Sequence, residues 1–508
     1  MAWHQIRRLG WSGSDSALNE PAWRWLAQAF GMPALLATPA SALTGITLPP
    51  PRLAAREQLI ALLGPSGVRQ DDAERARHAT GGGLADLLRR RAGDVAAAPD
   101  AVLYPRTEDD VLAVLKLCAT LGVAVVPFGG GAGDVAPARG DHAAVVTLDI
   151  SGLNRVIAID MMSGLADAEA GITGAELERQ LAARSMTPGQ QSGDFESATL
   201  GGRIAQGGED CDWLHHLRVA TPQGLLTGKA PGLGLTQLMR GSHGALGVIT
   251  RATIRLNTLP AKEDYRGYLF PDFASGLAAV REARRTGVPQ SLMRLSDDGE
   301  TRLSRALARA GHGWDIPERI FDAWLAFRRF NGDAAQLLAG FSGSEDQIRA
   351  ARKKFDAIAK RLGALALGVH TGGRQPHFAT LRDALLDRGC GMDRLEIPVS
   401  WSQLPSLYVA GRAALKQAMR AQAPLPGAHG LVQAHVGSPS PDGARLTFSW
   451  LYPRKLEDEI AQAESIRRAL LAAIAARSGS IDELQRDVLR SVKQALDPKG
   501  ILNPGKPF

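Results

Sequence analysis

The spacing of apolar positions separates a helical beginning from a strand-rich continuation. Residues 1 to about 95 are predicted to be mostly helical, because apolar residues recur at helical intervals in Ala54 to Leu63 and in Leu84 to Arg91. From about residue 100, short β-branched runs between glycines indicate strands. Glu108 to Leu121, with Thr107 as its N-cap, is predicted to be a helix among them.

The remaining pattern predicts an α+β fold class with several domains. The buried strand Val123 to Phe128 and the strands that follow it give a mixed α+β domain over residues 96–260. Beyond Leu259-Pro260, helices alternate with strands, so residues 261–478 are predicted to form an α/β cap domain. Residues 479–508 contain a last helix and a turn-rich tail. Residues 1–95 are then a helical N-terminal extension.

Composition narrows the classes of protein and partner. The 508 residues are 45% hydrophobic and 22% charged, which is typical of a soluble globular chain. Lys+Arg 59 against Asp+Glu 52 gives a net charge of +7. This excess would favour binding of a phosphorylated or carboxylate substrate or of an anionic lipid surface, but it could equally reflect an arginine-rich composition of the whole proteome. No block of basic residues interleaved with aromatics occurs, so nucleic acid is not an expected partner.

Cysteine use and hydropathy lead to an expectation about location. Cys118, Cys211 and Cys390 are far apart and form no CxxC, which favours a reducing cytoplasm. The N-terminal residues lack an apolar core of signal-peptide length, and no apolar run reaches the roughly 18 residues that span a bilayer. We therefore expect a cytoplasmic protein, with peripheral membrane contact as the closest approach to a bilayer.

Three glycine-bearing segments carry the clearest candidate chemistry. They are Pro127 to Gly133 (PFGGGAG), Ser197 to Gly208 (SATLGGRIAQGG) and Gly241 to Thr250 (GSHGALGVIT). Glycines let the backbone approach a ligand and turn its N–H groups toward oxygen atoms, which makes an anion-binding nest. One such turn is weak evidence, but three in one domain predict a cradle for a phosphate-bearing ligand.

The order of these motifs, followed by the terminal DPxGIxNPGK at Asp497 to Lys506, resembles the FAD-binding flavoproteins of the vanillyl-alcohol-oxidase type. Within them the chain is most similar to the alkyldihydroxyacetonephosphate synthases, and Glu169 to Glu178 is close to their own run. The resemblance covers nearly the whole chain. It implies a PCMH-type FAD-binding domain of two subdomains, an α/β cap and FAD held without a covalent link.

The resemblance also implies which residues contact FAD. The pyrophosphate would lie on the first segment, the flavin and ribityl chain on the second, and the third would complete the pocket. The implied cofactor-binding residues are Pro127, Phe128, Gly129, Gly130, Gly131, Ala132, Gly133, Gly193, Asp194, Ser197, Thr199, Gly201, Gly202, Gln206, Gly207, Gly208, Glu209, His243, Gly244, Ala245, Leu246, Gly247, Val248 and Ile249.

The implied reaction exchanges the acyl chain of acyl-dihydroxyacetone phosphate for a fatty alcohol, in ether-lipid synthesis. Arg382 matches the family arginine that meets the fatty-acid head group, and a guanidinium fork suits a carboxylate. A surface ion pair is the alternative interpretation of Arg382. The proton-donating tyrosine is replaced by Ser440, and the triple-histidine segment is missing. His435 is the candidate that could substitute for the tyrosine.

These departures leave three functions open. The first is the synthase reaction on a small-molecule or lipid substrate. The second is an FAD-linked dehydrogenase or oxidase of 2-hydroxy acids or alcohols, with His435 as base. The third is a protein that keeps FAD after losing catalysis. A homodimer is also left open. No metal is expected, since the adjacent His215 and His216 cannot both face one ion on a strand.

Overall fold

The computed structural model describes residues 18–40, 48–131, 133, 138–189, 198–207, 213–228, 234–311, 330, 332–369, 378–478 and 483–506. The chain divides into two compact units. Unit 1 holds the described residues of 40–259 and 481–508, and unit 2 holds those of 11–39 and 260–480. Each unit is described by itself below.

The described elements before residue 260 follow the predicted order closely. The helix predicted over residues 108–121 and the strand predicted over 123–128 have the expected limits. The elements are α1 (Glu20–Ala29), α2 (Arg56–Leu63), β1 (Val68–Arg69), α3 (Asp72–Arg77), α4 (Leu84–Ala92), β2 (Ala101–Leu103), α5 (Glu108–Leu121), β3 (Val123–Phe128), β4 (Ala144–Asp149), β5 (Val156–Asp160), β6 (Leu165–Glu169), α6 (Gly174–Ala182), β7 (Met186–Thr187), α7 (Leu200–Ala205), β8 (Leu214–Thr221), β9 (Gly224–Thr227), α8 (Leu235–Met239), β10 (Val248–Arg255) and β11 (Asn257–Thr258).

The elements after residue 260 alternate helices with strands, as the hydrophobic pattern indicated. They are β12 (Lys262–Phe270), α9 (Phe273–Arg285), β13 (Leu292–Ser296), α10 (Asp298–Gly311), β14 (Ala335–Gly343), α11 (Glu345–Arg361), β15 (Leu365–Val369), α12 (Phe378–Leu386), β16 (Cys390–Ser400), α13 (Leu404–Ala421), β17 (Leu431–Gly437), β18 (Gly443–Pro453), α14 (Glu459–Ser478) and α15 (Glu483–Leu496).

Unit 1 contains a four-stranded and a five-stranded sheet that share one hydrophobic core. One has the strand order β1-β2-β4-β3, with β2, β4 and β3 parallel, and the other has the order β5-β6-β10-β8-β9, entirely antiparallel. Helix α5 makes the crossover that a parallel pair needs, and it buries Val111, Val114 and Leu115 in the core. Its N-terminus carries a capping box between Thr107 and Asp110.

Unit 2 is built on one large antiparallel sheet with the strand order β15-β12-β14-β13-β17-β18-β16. Side chains alternate between its faces, so Leu431, Gln433 and His435 of β17 share one face. The opposite face is apolar at Phe448, whose ring packs against Gly411 of α13. In the described part of the chain no helix has both the length and the apolar character needed to cross a bilayer.

The predicted extension over residues 1–95 does not form one body. Helix α1 packs its buried Trp23 and Leu26 into a core with Leu385 and Leu451 of unit 2. Leu59 of α2 joins the core of unit 1 instead. The extension divides because the apolar faces of α1 and α2 are buried against different cores, which helical periodicity alone does not reveal.

Candidate functional site

The three glycine segments of unit 1 meet side by side. A Cβ atom added to Gly129 would lie under 3.0 Å from Thr199, and one added to Gly133 would lie under 3.0 Å from Gln206. The third segment completes the contact, because a Cβ atom on Gly244 would lie 3.0 Å from Pro127. These approaches are possible only where the side chain is a hydrogen atom. The predicted convergence of the bends is confirmed for these described residues.

The second bend is fixed by a helix cap and by two backbone hydrogen bonds. Thr199 is the N-cap of α7, and its hydroxyl accepts a hydrogen bond from the amide of Gly202 at 3.3 Å. The amides of Leu200 and Gly201 donate to the carbonyls of Ile172 and Ala170 at 2.9 and 2.7 Å. The start of α7 is therefore held directly beside the loop that follows β6.

The third bend contains a strained residue, His243. Its φ of +49° lies in the left-handed region, which a non-glycine residue adopts only when its surroundings enforce it. Its amide donates to the carbonyl of Ala205 at 2.9 Å, and its carbonyl accepts from the side-chain amide of Asn503. His243 is thus fixed on one side by α7 and on the other by the C-terminal tail.

The tail after α15 extends the free edge of β3. The amides of Val125 and Asn503 donate to the carbonyls of Ile501 and Val125, at 2.8 and 2.9 Å. Asp497, which is 1% exposed, accepts from the amides of Ile501 and Leu502 at 3.0 and 2.7 Å. The terminal DPxGIxNPGK motif therefore has a structural purpose: it turns the chain back onto the strand that leads into the first bend.

A half-buried lysine, Lys493, links the same tail to the third bend. The ammonium of Lys493 donates to the carbonyls of Ala245 and Leu502 at 2.7 and 2.9 Å and pairs with Asp497. Burial lowers the pKa of Lys493, while the carboxylate of Asp497 opposes that shift. The Lys493–Asp497 pair ties helix α15, the tail and the cradle together.

We expect Asp497→Asn to destabilise unit 1 and to weaken FAD retention. An amide in this position would turn one N–H group toward buried donors, and such mismatches cost about 2–4 kcal/mol. Chemical denaturation and the flavin-to-protein ratio after gel filtration measure both effects. The control is Asp487→Asn on the exposed face of α15, where the pair with Arg490 is 2.8 Å long and both side chains are exposed. Equal behaviour of the two variants would contradict this assignment of the tail.

Most of the described cofactor-binding residues predicted from the sequence line one cavity. Gly133, Gly207, Ala245 and Leu246 do not line it, and Leu246 belongs to the core instead. Ala132, Gly193, Asp194, Ser197, Gly208 and Glu209 lie outside the described residues. The cavity is lined by Pro127, Phe128, Gly129, Gly130, Gly131, Ile150, Ala198, Thr199, Gly201, Gly202, Ala205, Gln206, His243, Gly244, Gly247, Val248, Ile249 and Asn503.

Four lining residues were not named individually from the sequence: Ile150, Ala198, Ala205 and Asn503. Ile150 follows directly after β4, and Ala205 ends α7 beside Gln206. Asn503 belongs to the recognised terminal motif, but its position against His243 depends on the return of the chain to β3. Ala198 and Ala205 lie within the second glycine segment and Asn503 lies within the terminal motif, so these motifs pointed to their positions. Ile150 lies outside every recognised motif.

The cradle fits a dinucleotide that is bound mainly through backbone groups. A Cβ atom at Gly129 or Gly131 would reach Thr199 or Phe128, so the backbone is left bare where a pyrophosphate would lie. The cavity between the bends measures about 70 Å³, below the roughly 300–1,000 Å³ typical of sites that enclose a whole ligand. A cavity of this size has room for one portion of a dinucleotide rather than for the whole ligand.

In unit 2, the sheet face that carries His435 is polar along half its length. The register sets His435 opposite Thr447 and Gln433 opposite Ser449. Thr447, Gln433 and Ser449 are 3%, 4% and 8% exposed. At the other end of this face, Leu431 is paired with Leu451 under the core that includes α1 and α12. We call Arg294, Gln433, His435, Thr447 and Ser449 the polar face.

Arg382 lies on α12, whose Leu385 packs against Met392 of β16. The register pairs Met392 with Leu451 and Leu451 with Leu431, so α12 covers the face that also carries His435. The Arg382 side chain is buried, at 8% exposed, so Arg382 is not a surface residue. His435 and the helix that carries Arg382 therefore lie on the same side of one sheet.

His435 belongs to a charged cluster on the polar face. Its Nδ1 atom lies 3.2 Å from a guanidinium nitrogen of Arg294 and 3.3 Å from a carboxylate oxygen of Glu300. Arg294 also pairs with the other oxygen of Glu300. Burial, followed by the positive charge of Arg294, lowers the pKa of His435. Burial alone would raise the pKa of Glu300, but the positive charge of Arg294 holds it well below its usual range.

Ser440 occupies the turn between β17 and β18. Its hydroxyl donates to Asp442 at 2.7 Å and accepts from the amide of Gly443 at 3.1 Å. Both contacts close the hairpin, as serine commonly does in turns. The residue aligned with the family tyrosine is therefore used in a turn.

Comparisons with known proteins agree with the two-unit arrangement. A family model described as FAD binding domain matches residues 99–227, and one described as FAD linked oxidases, C-terminal domain, matches residues 259–483 and 479–507. Alkyldihydroxyacetonephosphate synthase of Dictyostelium discoideum is 27% identical over 92% of this chain and 83% of its own. A mitochondrial D-lactate dehydrogenase [cytochrome] of Arabidopsis thaliana is 25% identical over 80% of this chain and 73% of its own.

Comparison with solved structures also finds similarity to alkyldihydroxyacetonephosphate synthase. An alkyldihydroxyacetonephosphate synthase matches with a TM-score of 0.80 and 26% identity, over 96% of this chain and 92% of that one. A p-cresol methylhydroxylase, at 17% identity and a TM-score of 0.65 over 89% and 95% of the two chains, shows the shared fold alone. The protein is an FAD-dependent flavoenzyme with a PCMH-type FAD-binding fold, similar to the alkyldihydroxyacetonephosphate synthases.

Proposed function

We propose that this enzyme exchanges the acyl chain of acyl-dihydroxyacetone phosphate for a long-chain fatty alcohol, the reaction of ether-lipid synthesis. The observation that carries the proposal is the burial of Arg382 on α12, the helix that covers the sheet face carrying His435. The fork of a guanidinium matches the two oxygen atoms of a departing carboxylate. The similarity to alkyldihydroxyacetonephosphate synthases along most of the chain supports the same reaction.

Each part of the chain then has a distinct task. Bound FAD would supply an electrophilic isoalloxazine ring that takes electron density from the substrate carbon. The backbone of Gly129 to Gly131 and the start of α7 at Thr199 would hold its pyrophosphate. Arg382 would bind the carboxylate of the leaving fatty acid, and the polar face would bind oxygen atoms of the substrate.

A dehydrogenase of 2-hydroxy acids is the second candidate function. D-lactate dehydrogenases are similar to this chain over about four-fifths of its length, at 80% in the Arabidopsis relative. His435 would have to serve as the base that removes the hydroxyl proton. The same Arg382 would bind the substrate carboxylate, so this arginine does not discriminate between the two reactions.

An exchange assay separates the candidate functions. Purified holoprotein is incubated with acyl-dihydroxyacetone phosphate and a labelled long-chain alcohol, without an electron acceptor. We expect label in an ether-linked product and an equal amount of released fatty acid. The parallel sample receives D-lactate or another 2-hydroxy acid and an artificial dye. Flavin bleaching with dye reduction there, and no label in the first sample, would replace the synthase with a dehydrogenase. Retained FAD with neither activity would favour a protein that only binds the cofactor.

A further inference from the structure

Arg294 lies between the carboxylate of Glu300 and the imidazole of His435. These residues come from three elements: Arg294 from β13, Glu300 from the first turn of α10 and His435 from β17. The register of β13 and β17 sets Ser296 opposite His435 and Arg294 opposite Gly437, so the guanidinium reaches the imidazole along the shared face. Asp297 fixes Glu300, because its carboxylate accepts the amide of Glu300 at 2.9 Å.

The hydrogen-bond partner of Nδ1 determines whether the neutral His435 ring carries its hydrogen on Nδ1 or on Nε2. A guanidinium has only N–H donors and no acceptor, so the 3.2 Å contact from Arg294 is a hydrogen bond only when Nδ1 of His435 accepts. The neutral ring then carries its single hydrogen on Nε2. The oxygen of Glu300 that lies 3.3 Å from Nδ1 makes no geometric hydrogen bond among the described residues, which favours the tautomer in which Arg294 is the partner of Nδ1.

We propose that His435 serves as a neutral hydrogen-bond donor to a substrate oxygen through Nε2–H, with Arg294 as the positioning residue that fixes this tautomer. The proposal rests on the proposed function for the identity of that substrate, and it gives His435 a role other than the acid or base that the sequence suggested. A ring whose Nε2 already bears hydrogen cannot accept a proton at that atom. It can stabilise negative charge that develops on a carbonyl oxygen.

The charges around the ring favour its neutral form. Arg294 on β13 and Arg394 on β16 both disfavour an imidazolium, and burial of the ring acts in the same direction. Glu300 on α10 acts in the opposite direction, but Arg294 engages it at the same time. The result is a lowered pKa for His435, so the ring stays neutral at pH 7.

The neighbours of His435 also point to an oxygen-bearing ligand. The side-chain Nε2 of Gln433, on the same face two residues away, is buried and has no hydrogen-bond partner among the described residues. A buried donor without a partner costs roughly 1–3 kcal/mol unless a ligand satisfies it. Gln433 and His435 therefore present two N–H donors from one strand, about two residue rises or 7 Å apart along it.

Nitrogen NMR of holoprotein labelled with 15N-histidine tests the tautomer without any substrate. Long-range ¹H–¹⁵N spectra between pH 6 and 8 should show His435 with a hydrogen on Nε2 only and no titration of the ring in this range. The signals of His435 are assigned as those that are lost in the His435→Gln variant. In Arg294→Met we expect Nδ1–H to appear, facing Glu300, and the midpoint of titration to rise. The control Arg302→Met removes an arginine that is 61% exposed and should leave the spectrum unchanged. A hydrogen on Nδ1 in the unaltered protein, or titration near pH 6.5, would overturn the proposal.

Paired replacements test the role in turnover. His435→Gln keeps an N–H donor of similar reach and should retain exchange within about tenfold, whereas His435→Leu should lose about 100- to 1,000-fold in kcat. Equal losses in both variants would identify an acid–base group and refute the donor role. The flavin-to-protein ratio should stay constant, because the described cradle belongs to unit 1.

The two measurements keep this inference separate from the proposed reaction. If the unaltered enzyme shows no exchange but the spectra show neutral Nε2–H, the synthase function fails and the tautomer assignment stands. If exchange is observed but the spectra show Nδ1–H or an imidazolium at pH 7, the synthase function stands and the donor role fails.

Discussion

Gly129→Ala is expected to leave the protein almost free of FAD. The new Cβ atom would lie under 3.0 Å from Thr199, the N-cap of α7, so either the first bend or α7 must move. Moving α7 would also break its backbone contacts to Ala170 and Ile172. Misplacing the backbone donors of a phosphate cradle removes several hydrogen bonds to charged oxygens, each worth about 1.5–3 kcal/mol, so we expect FAD affinity to fall by at least about 100-fold.

Flavin absorbance per mole of protein and fluorescence titration of the apoprotein with FAD measure this loss. The matched control is Gly234→Ala, since the nearest atom to a Cβ there is 3.9 Å away and the residue does not line the cavity. We expect Gly234→Ala to retain FAD in full. A Gly129→Ala protein that binds FAD as tightly as the parent would mean that the cradle does not hold the cofactor.

Arg382→Lys is expected to reduce alkyl exchange by about 100-fold or more while leaving FAD content unchanged. Lysine keeps the positive charge but cannot reproduce the two parallel hydrogen bonds of a guanidinium to a carboxylate, and a hydrogen bond to a charged group contributes about 1.5–3 kcal/mol. The effect should fall on kcat/KM, because the carboxylate charge grows as the fatty acid departs. Steady-state exchange assays with purified holoprotein give this ratio directly.

Arg281→Gln is the control for this replacement. Arg281 lies on the exposed side of α9 in the same unit, and its loss should change exchange by less than about twofold. Because Arg382 is buried, Arg382→Gln should also be examined by thermal unfolding. Retention of full exchange by a folded Arg382→Gln protein would retire the assignment of Arg382 to the leaving carboxylate.

Local patterns predicted the elements that position the cradle. Helix α5 and strand β3 have the expected limits, because apolar periodicity and the Thr107 cap act within a few residues. The glycine bends were recognisable for a similar reason, since their spacing is set by close backbone approach. The structure brings the described parts of the three bends together, and it adds the close approach of Gly129 to Thr199, which the sequence did not specify.

The cluster at His435 could not be predicted in the same way. Arg294, Glu300 and His435 are brought together only by the pairing of β13 with β17, and no local signal in either strand specifies that register. From the sequence, His435 was compatible with either a structural or a catalytic role. The contact with Arg294, which indicates the ring nitrogen that accepts a hydrogen bond, is visible only in the structure. The division of the N-terminal extension also depends on distant partners, since α1 packs with Leu385 and Leu451.

The return of the tail to β3 has a consequence for how the enzyme acquires its cofactor. Unit 1 is discontinuous in sequence, and residues 260–480 are synthesised between its two parts. Asn503, which holds the carbonyl of His243, emerges from the ribosome long after the glycine bends have been made. The complete cradle therefore exists only after synthesis has passed residue 503, and we expect chains that stop before residue 497 to retain less FAD than the full chain.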